Sequence, residues 1–292
     1  MRNENNRLLE LPFGCGYSGD TAVPCCREKL QTAKGQSGSF RNQFGPSGAI
    51  SMRACLSVLL LIMSTGLVAA ASLKEAKTAL DRGDFQSAER TLSELSNQGD
   101  RTAQRQLGLM YDEGQGIPKQ HHQAVRWYSV AASQGDPEAS YYLGRIYQDG
   151  RGCPKNYARA RQWYHVGATR GNHKAAVNLG TMHALGLGGP KNYQAAGQWF
   201  LLAANSGDIK AQDNLGVLYQ NGMGVRRDLV KAYMWFAIAA ATRGGTEAAK
   251  HRDQIARLMA PDQIEQARRL SSEKMYVLIR CQVVATVPCH WR

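Results

Sequence analysis

Apolar residues between Gly99 and Gly244 fall three or four apart in short runs, and the runs themselves recur every 36 residues. In one period, Ala139, Leu143, Ile146 and Tyr147 make one apolar stripe, and Tyr157, Ala160, Trp163, Tyr164 and Ala168 make a second. That spacing predicts two amphipathic helices per period, an A helix followed by a B helix, with their stripes facing each other. The register is strict. Leu107-Gly108 returns as Leu143-Gly144, Leu179-Gly180 and Leu215-Gly216, while Trp127 returns as Trp163, Trp199 and Trp235. Ala103, Ala139, Ala175 and Ala211 keep the same step, as do the glycine pairs Gly114/Gly116, Gly150/Gly152, Gly186/Gly188 and Gly222/Gly224. Self-similarity at such a period is the signature of stacked helical pairs that share one continuous core.

Polar positions punctuate the helices. Asp100, Asp136, Asn172 and Asp208 each follow a glycine and precede an A helix, where a short side chain can accept hydrogen bonds from the first unpaired N–H groups. The Gly-x-Gly turn, followed by Pro118, Pro154 or Pro190, supplies positive φ and then blocks helix until the next cap. Gly108 and its equivalents lie inside A helices, where Gly costs about 1 kcal/mol relative to Ala. Close approach of the B helix is the expected compensation. The four tryptophans, recurring in step with these structural positions, are expected in the core.

The resulting pattern, A-x-x-x-L-G-x-x-Y-x-x-G-x-G-x-x-K-(N/D)-x-x-x-A-x-x-W-(Y/F)-x-x-A-A-x-x-G, resembles the Sel1-like repeat family, a longer relative of the tetratricopeptide repeat. Departures are local: His183 stands at the Tyr slot of Tyr111, Tyr147 and Tyr219, Gly167 replaces an Ala of the Ala pair, and Arg226 replaces the turn Pro. The resemblance implies an all-α fold, a right-handed α-solenoid of helix-turn-helix repeats closed by helical caps. Repeats are expected at 99–134, 135–170, 171–206 and 207–244. A degenerate capping pair is expected over 72–98, since Ala88 precedes Ala124 by one period, and closing helices over 245–270. The tail 271–292 has no assignment; Cys281 and Cys289 could form a disulfide in an oxidising compartment.

Upstream of the repeats, Met52 and Arg53 precede an apolar stretch ending in Ala69, Ala70 and Ala71. These are the parts of a secretory signal peptide over 52–71, with cleavage expected after Ala71. A membrane anchor through 54–71 is the alternative. Residues 1–51 carry no sustained period and read as a gene-model extension or a disordered arm. The expected location is therefore periplasmic or secreted, with membrane association only if the signal segment stays uncleaved, and with no nucleic-acid partner if export occurs.

Charge adds a bias toward anionic partners. The full chain carries a formal +13, and from Ser72 onward there are 29 Lys plus Arg against 19 Asp plus Glu, a net +10. Such a balance suits nucleic acid, acidic protein faces, phospholipid head groups or charged polysaccharide, and singles out none of them. Chemistry-bearing motifs are scarce. His121, His122, His165, His173 and His183 are not spaced i, i+4 as helical metal pairs are. Cys153 stands alone in a turn, and the Gly-x-Gly turns follow helices and lack the Lys-Ser/Thr of a phosphate loop. No catalytic residue, cofactor or metal is expected, and the chain is read as a non-enzyme.

What remains is a surface. Stacked helical pairs present an extended concave face, usually built from the first helix of each pair. By resemblance to tetratricopeptide proteins, the residue before Leu-Gly faces the ligand, which nominates Gln106, Tyr142, Asn178 and Asn214. Arg105, Tyr141 and Asp213 form a neighbouring row, and Arg145 lies close by. The expected function is a protein-interaction scaffold or adaptor in the cell envelope. Binding of peptidoglycan or an anionic polysaccharide is the alternative, and an envelope hydrolase a distant third.

Overall fold

The computed structural model describes residues 72–242 and 244–283. The expectations for 1–51, for the signal segment 52–71 and for the Cys281–Cys289 pairing lie outside the described residues. Every regular element described is a helix. α1 spans 72–81 and α2 Phe85–Asn97; the repeats follow as α3 Arg101–Glu113, α4 His121–Ser133, α5 Pro137–Asp149, α6 Tyr157–Thr169, α7 His173–Leu185, α8 Tyr193–Asn205, α9 Ile209–Asn221 and α10 Leu229–Ala240. α11 Thr246–Ala256 and α12 Pro261–Val283 close the chain. Consecutive helices from α2 through α11 pack on one another, and α12 returns to α10. This is an α-solenoid with a helical pair at each end.

Each A helix begins at its capping side chain. Asp100, Asp136, Asn172 and Asp208 accept hydrogen bonds from the N–H groups of Ala103, Ala139, Ala175 and Ala211 at 2.7, 2.7, 2.7 and 3.0 Å. B helices have caps as well. Asn156, Asn192 and Asp228 accept from the third residue on at 2.9 Å, which is the reason for the N/D slot after Lys in the repeat. Their own N–H groups donate back to the carbonyls of Tyr147, His183 and Tyr219, so the A-to-B turn is closed from both sides.

The two turn glycines have separate duties. Gly150 ends α5 with φ 77° as a left-handed C-cap, the conformation for which Gly has no steric penalty. Gly152 (φ 69°) lies against His121 and His122 at the start of the previous B helix, where a Cβ would come within 2.6 Å of the His121 Cβ. The second glycine therefore lets one repeat's turn sit on its neighbour. In the fourth repeat, which has Arg226 in place of Pro, Gly222 and Gly224 keep positive φ and the Asp228–Tyr219 bond remains. Proline is dispensable for this turn.

The core is made of alanine columns and one aromatic column. Ala103, Ala139, Ala175 and Ala211 are fully buried, as are Ala88, Ala124, Ala160, Ala196 and Ala232. Small side chains at these positions let the helices approach closely. Between them lie Leu107, Leu143, Leu179 and Leu215, and the aromatic rings of Tyr128, Tyr164, Phe200 and Phe236. Gly108, Gly144, Gly180 and Gly216 face those rings: a Cβ at any of the four would come within 2.4–2.8 Å of one. Close B-helix approach is thus what the in-helix glycines allow.

The tryptophans depart from expectation. Trp127, Trp163 and Trp199 are only half-buried at the margin of the core, and the fully buried ring is the residue that follows each of them. Trp235 alone is buried, because α12 lies over it: the Lys274 ammonium is 5.6 Å from its ring centroid and Leu278 joins the same apolar cluster. α12 itself runs past Leu270, where the sequence pattern gave out, to Val283. At the other end, α1 and α2 bury Ala76, Ala88, Leu92 and Leu95 against Ala103, Leu107 and Met110 of α3.

Candidate partner-binding face

A helices α5 and α7 touch directly as well as through α6, and side chains bridge α3 to α5 and α9 to α11, so these A helices share one side of the stack. The nominated residues lie there. Gln106, Tyr142, Asn178 and Asn214 are all half-buried, each one residue before the buried Leu of its helix. Two of them have close neighbours within the protein. Tyr142 stacks on Tyr128 with centroids 5.0 Å apart and an angle of 12°, and Asn178 lies near the Tyr164 hydroxyl. Burial pushes the Tyr142 phenol above its ordinary pKa, and the same cause raises the deeper Tyr164.

The neighbouring row is not uniform. Arg105 reaches across to the next repeat, donating to Asp136 at 3.2 Å and also to Glu138. Tyr141 packs against Tyr142 and Tyr164, and Arg145 sits 5.9 Å from the Tyr141 ring centroid. Asp213 meets His251 Nδ1 of α11 at 2.7 Å. Arg105 and Asp213, nominated for a partner, are therefore occupied by contacts between successive helical pairs. Between these two ends, α5, α7 and the start of α9 enclose a groove of ≈ 590 Å³ lined by Tyr141, Lys174, Val177, Asn178 and Lys210 among others. The lysines of this groove carry no short-range signal in the repeat pattern and were not among the nominated residues.

Two polar clusters elsewhere join repeats. Asp112, almost fully buried, is held by Arg151 Nη1 at 2.8 Å and by His121 Nδ1 at 2.9 Å. His183, in its Tyr slot, lies 2.8 Å from the Arg161 guanidinium; burial and that positive charge hold its pKa below the ordinary value. Both lie at A-to-B turns and have a structural role. Among the described residues no three His, Cys, Asp or Glu side chains are grouped to hold a metal ion, and no helix is long and apolar enough to cross a membrane.

Comparison with known proteins agrees with this architecture. The Sel1 repeat family model matches residues 102–136, 137–172, 173–208 and 209–241. No curated protein matches the sequence. Among solved structures, a protective antigen present in uropathogenic Escherichia coli strains, displaying an SLR fold, is 28% identical with a TM-score of 0.65. That match covers 77% of this chain and 50% of the antigen, so the chain spans half the length of that relative. A Sel1 repeat protein from Oxalobacter formigenes is 29% identical with a TM-score of 0.61, over 68% of this chain and 84% of that one. With four consecutive family repeats in the register of its helices, the chain belongs to the Sel1-like repeat family.

Proposed function

We propose that the protein is an adaptor of the cell envelope that holds a protein partner along its A-helix face and performs no chemistry of its own. Sel1 repeat proteins generally act as protein-interaction scaffolds. The observation that carries the reading here is the groove between α5, α7 and α9, the stretch of that face where internal ion pairs leave room. An envelope location is supported by the signal-like residues 52–71. Half-buried Asn178 and Asn214 offer amide donors and acceptors suited to the main chain of an extended segment.

The experiment is affinity capture of the tagged protein after crosslinking in cells, with mass spectrometry of the captured proteins and of the bait's N-terminus. Expected is one abundant envelope protein, lost when Asn178 and Asn214 are both Ala and kept when the exposed B-helix residues Gln162 and Gln198 are, with a bait chain starting at Ser72. An unprocessed cytoplasmic bait overturns the location, and a partner indifferent to Asn178 and Asn214 overturns the face.

A second reading, recognition of an anionic envelope glycan, is favoured by Tyr141 and Tyr142 on the same face, since aromatic rings can stack on sugars. Saturable binding of a defined glycan fragment with no protein partner would select it.

A further inference from the structure

The gaps between successive A helices are sealed differently along the stack. Positions 105, 141, 177 and 213 are equivalent by the 36-residue step, as are 102, 138, 174 and 210. At the first gap, Arg105 meets Asp136 and Glu138. At the last, Asp213 meets His251. In the two gaps between them, the row carries Tyr141 and Val177 instead of a charge, and the facing position carries exposed Lys174 and Lys210 instead of Glu138. The cap at the second gap is Asn172 where the first has Asp136. The middle of the A-helix face has thus exchanged its internal ion pairs for two lysines over an aromatic and aliphatic floor, and this is where the groove opens.

The surrounding charge has the same sign. Between Asp149 and Asp208 the chain contains no Asp or Glu, yet it carries Arg151, Lys155, Arg159, Arg161, Arg170, Lys174 and Lys191. Of the groove's lining side chains only Asp208 is acidic, and its Oδ1 already accepts the Ala211 N–H at 3.0 Å. Neither Lys174 nor Lys210 has a carboxylate within ion-pair distance among the described residues. A partner that brings its own carboxylates would restore to this gap the pairing that Glu138 and Arg105 make in the first.

Resting on the adaptor reading above, we propose that the groove binds an extended acidic peptide segment of the partner, with carboxylates at Lys174 and Lys210, an apolar side chain between them on Val177 and Tyr141, and its main chain at Asn178. The aliphatic floor favours a peptide over a sugar acid, because Val177 offers no polar atom to a hydroxyl-rich ring. Opposite charge also steers encounter, so association should weaken as salt screens it.

The test uses the whole chain and a fluorescein-labelled decapeptide in which Glu alternates with Leu, its Gln-for-Glu counterpart, and an unlabelled muropeptide competitor, read by fluorescence anisotropy. Expected is saturable binding of the acidic probe at least tenfold tighter than the amide probe, weakening with salt. Lys174→Glu with Lys210→Glu should weaken it at least tenfold, while Lys77→Glu on α1 leaves it unchanged; far-ultraviolet circular dichroism checks that all variants fold. Equal binding of both probes, loss of affinity in Lys77→Glu, or displacement by muropeptide with no effect of the double reversal would each overturn the proposal. If the acidic probe fails while cellular capture still depends on Asn178 and Asn214, the acidic-peptide assignment falls alone; if both fail, the adaptor reading falls with it.

Discussion

Replacing Gly144 by Ala should destabilise the protein, although the same change in an open helix would stabilise it. The added Cβ would sit 2.5 and 2.6 Å from Cδ1 and Cε1 of Tyr164, about 1 Å inside ordinary carbon–carbon contact. The ring cannot retreat freely, because Tyr164 is fully buried and its hydroxyl is tied to Gln148 at 3.0 Å. Overpacking of this kind costs about 1–3 kcal/mol, against roughly 1 kcal/mol gained from helix propensity. The net is a loss of about 1 kcal/mol. The control is a double variant: with Tyr164→Ala the ring is gone, and adding Gly144→Ala should then raise stability by about 1 kcal/mol. Urea unfolding followed by circular dichroism reads both differences. A Gly144→Ala protein more stable than the parent, or the same loss in the Tyr164→Ala background, would refute close helix approach as the reason for the glycine.

Three further outcomes are expected. Asp136→Ala removes the α5 cap and the Arg105 contact together, and should cost about 1–2 kcal/mol in the same unfolding assay. Arg151→Ala leaves the nearly buried Asp112 carboxylate with His121 alone; it should cost about 2 kcal/mol, less than the ~3–5 kcal/mol of a fully buried pair because Arg151 is partly exposed. His183 has a folded pKa below its unfolded value, so the unfolded chain takes up the proton first as pH falls through about 6.5. Its contribution therefore lowers stability between pH 8 and pH 5.5, and His183→Gln should lose less stability over that range than the parent.

Caps, turns and in-helix glycines were legible in the sequence because each is a local requirement repeated at a fixed step. Asp136 caps α5, Gly150 ends it, and Gly144 faces a ring, all within one period. The tryptophans were not. Trp163 and Tyr164 recur with equal strictness, and recurrence marks a constrained position without telling which of two adjacent side chains points inward. Trp235 is buried by Lys274 and Leu278 of α12, a contact made once and therefore absent from any repeat. α12 beyond Leu270 was missed for the same reason, since no second copy of its sequence exists to compare. On the candidate face, Tyr142 and Asn178 are nominated by position, but the pairing of Arg105 with Glu138 and of Asp213 with His251 joins residues 33 and 38 apart, across the boundary of any single repeat. What did bear on the groove was the acid-free stretch between Asp149 and Asp208, a signal visible only when charge is counted by position and not for the whole chain.

The most direct test of an A-helix interaction face is photocrosslinking in cells from benzoylphenylalanine placed singly at Asn178, Asn214 and Lys210, and at Gln162 and Gln198 on the B helices. A partner adduct of the same mass from the three A-helix sites, with none from the two B-helix sites, is the expected result. Adducts of equal yield from both sets, or from the B-helix sites alone, would contradict it.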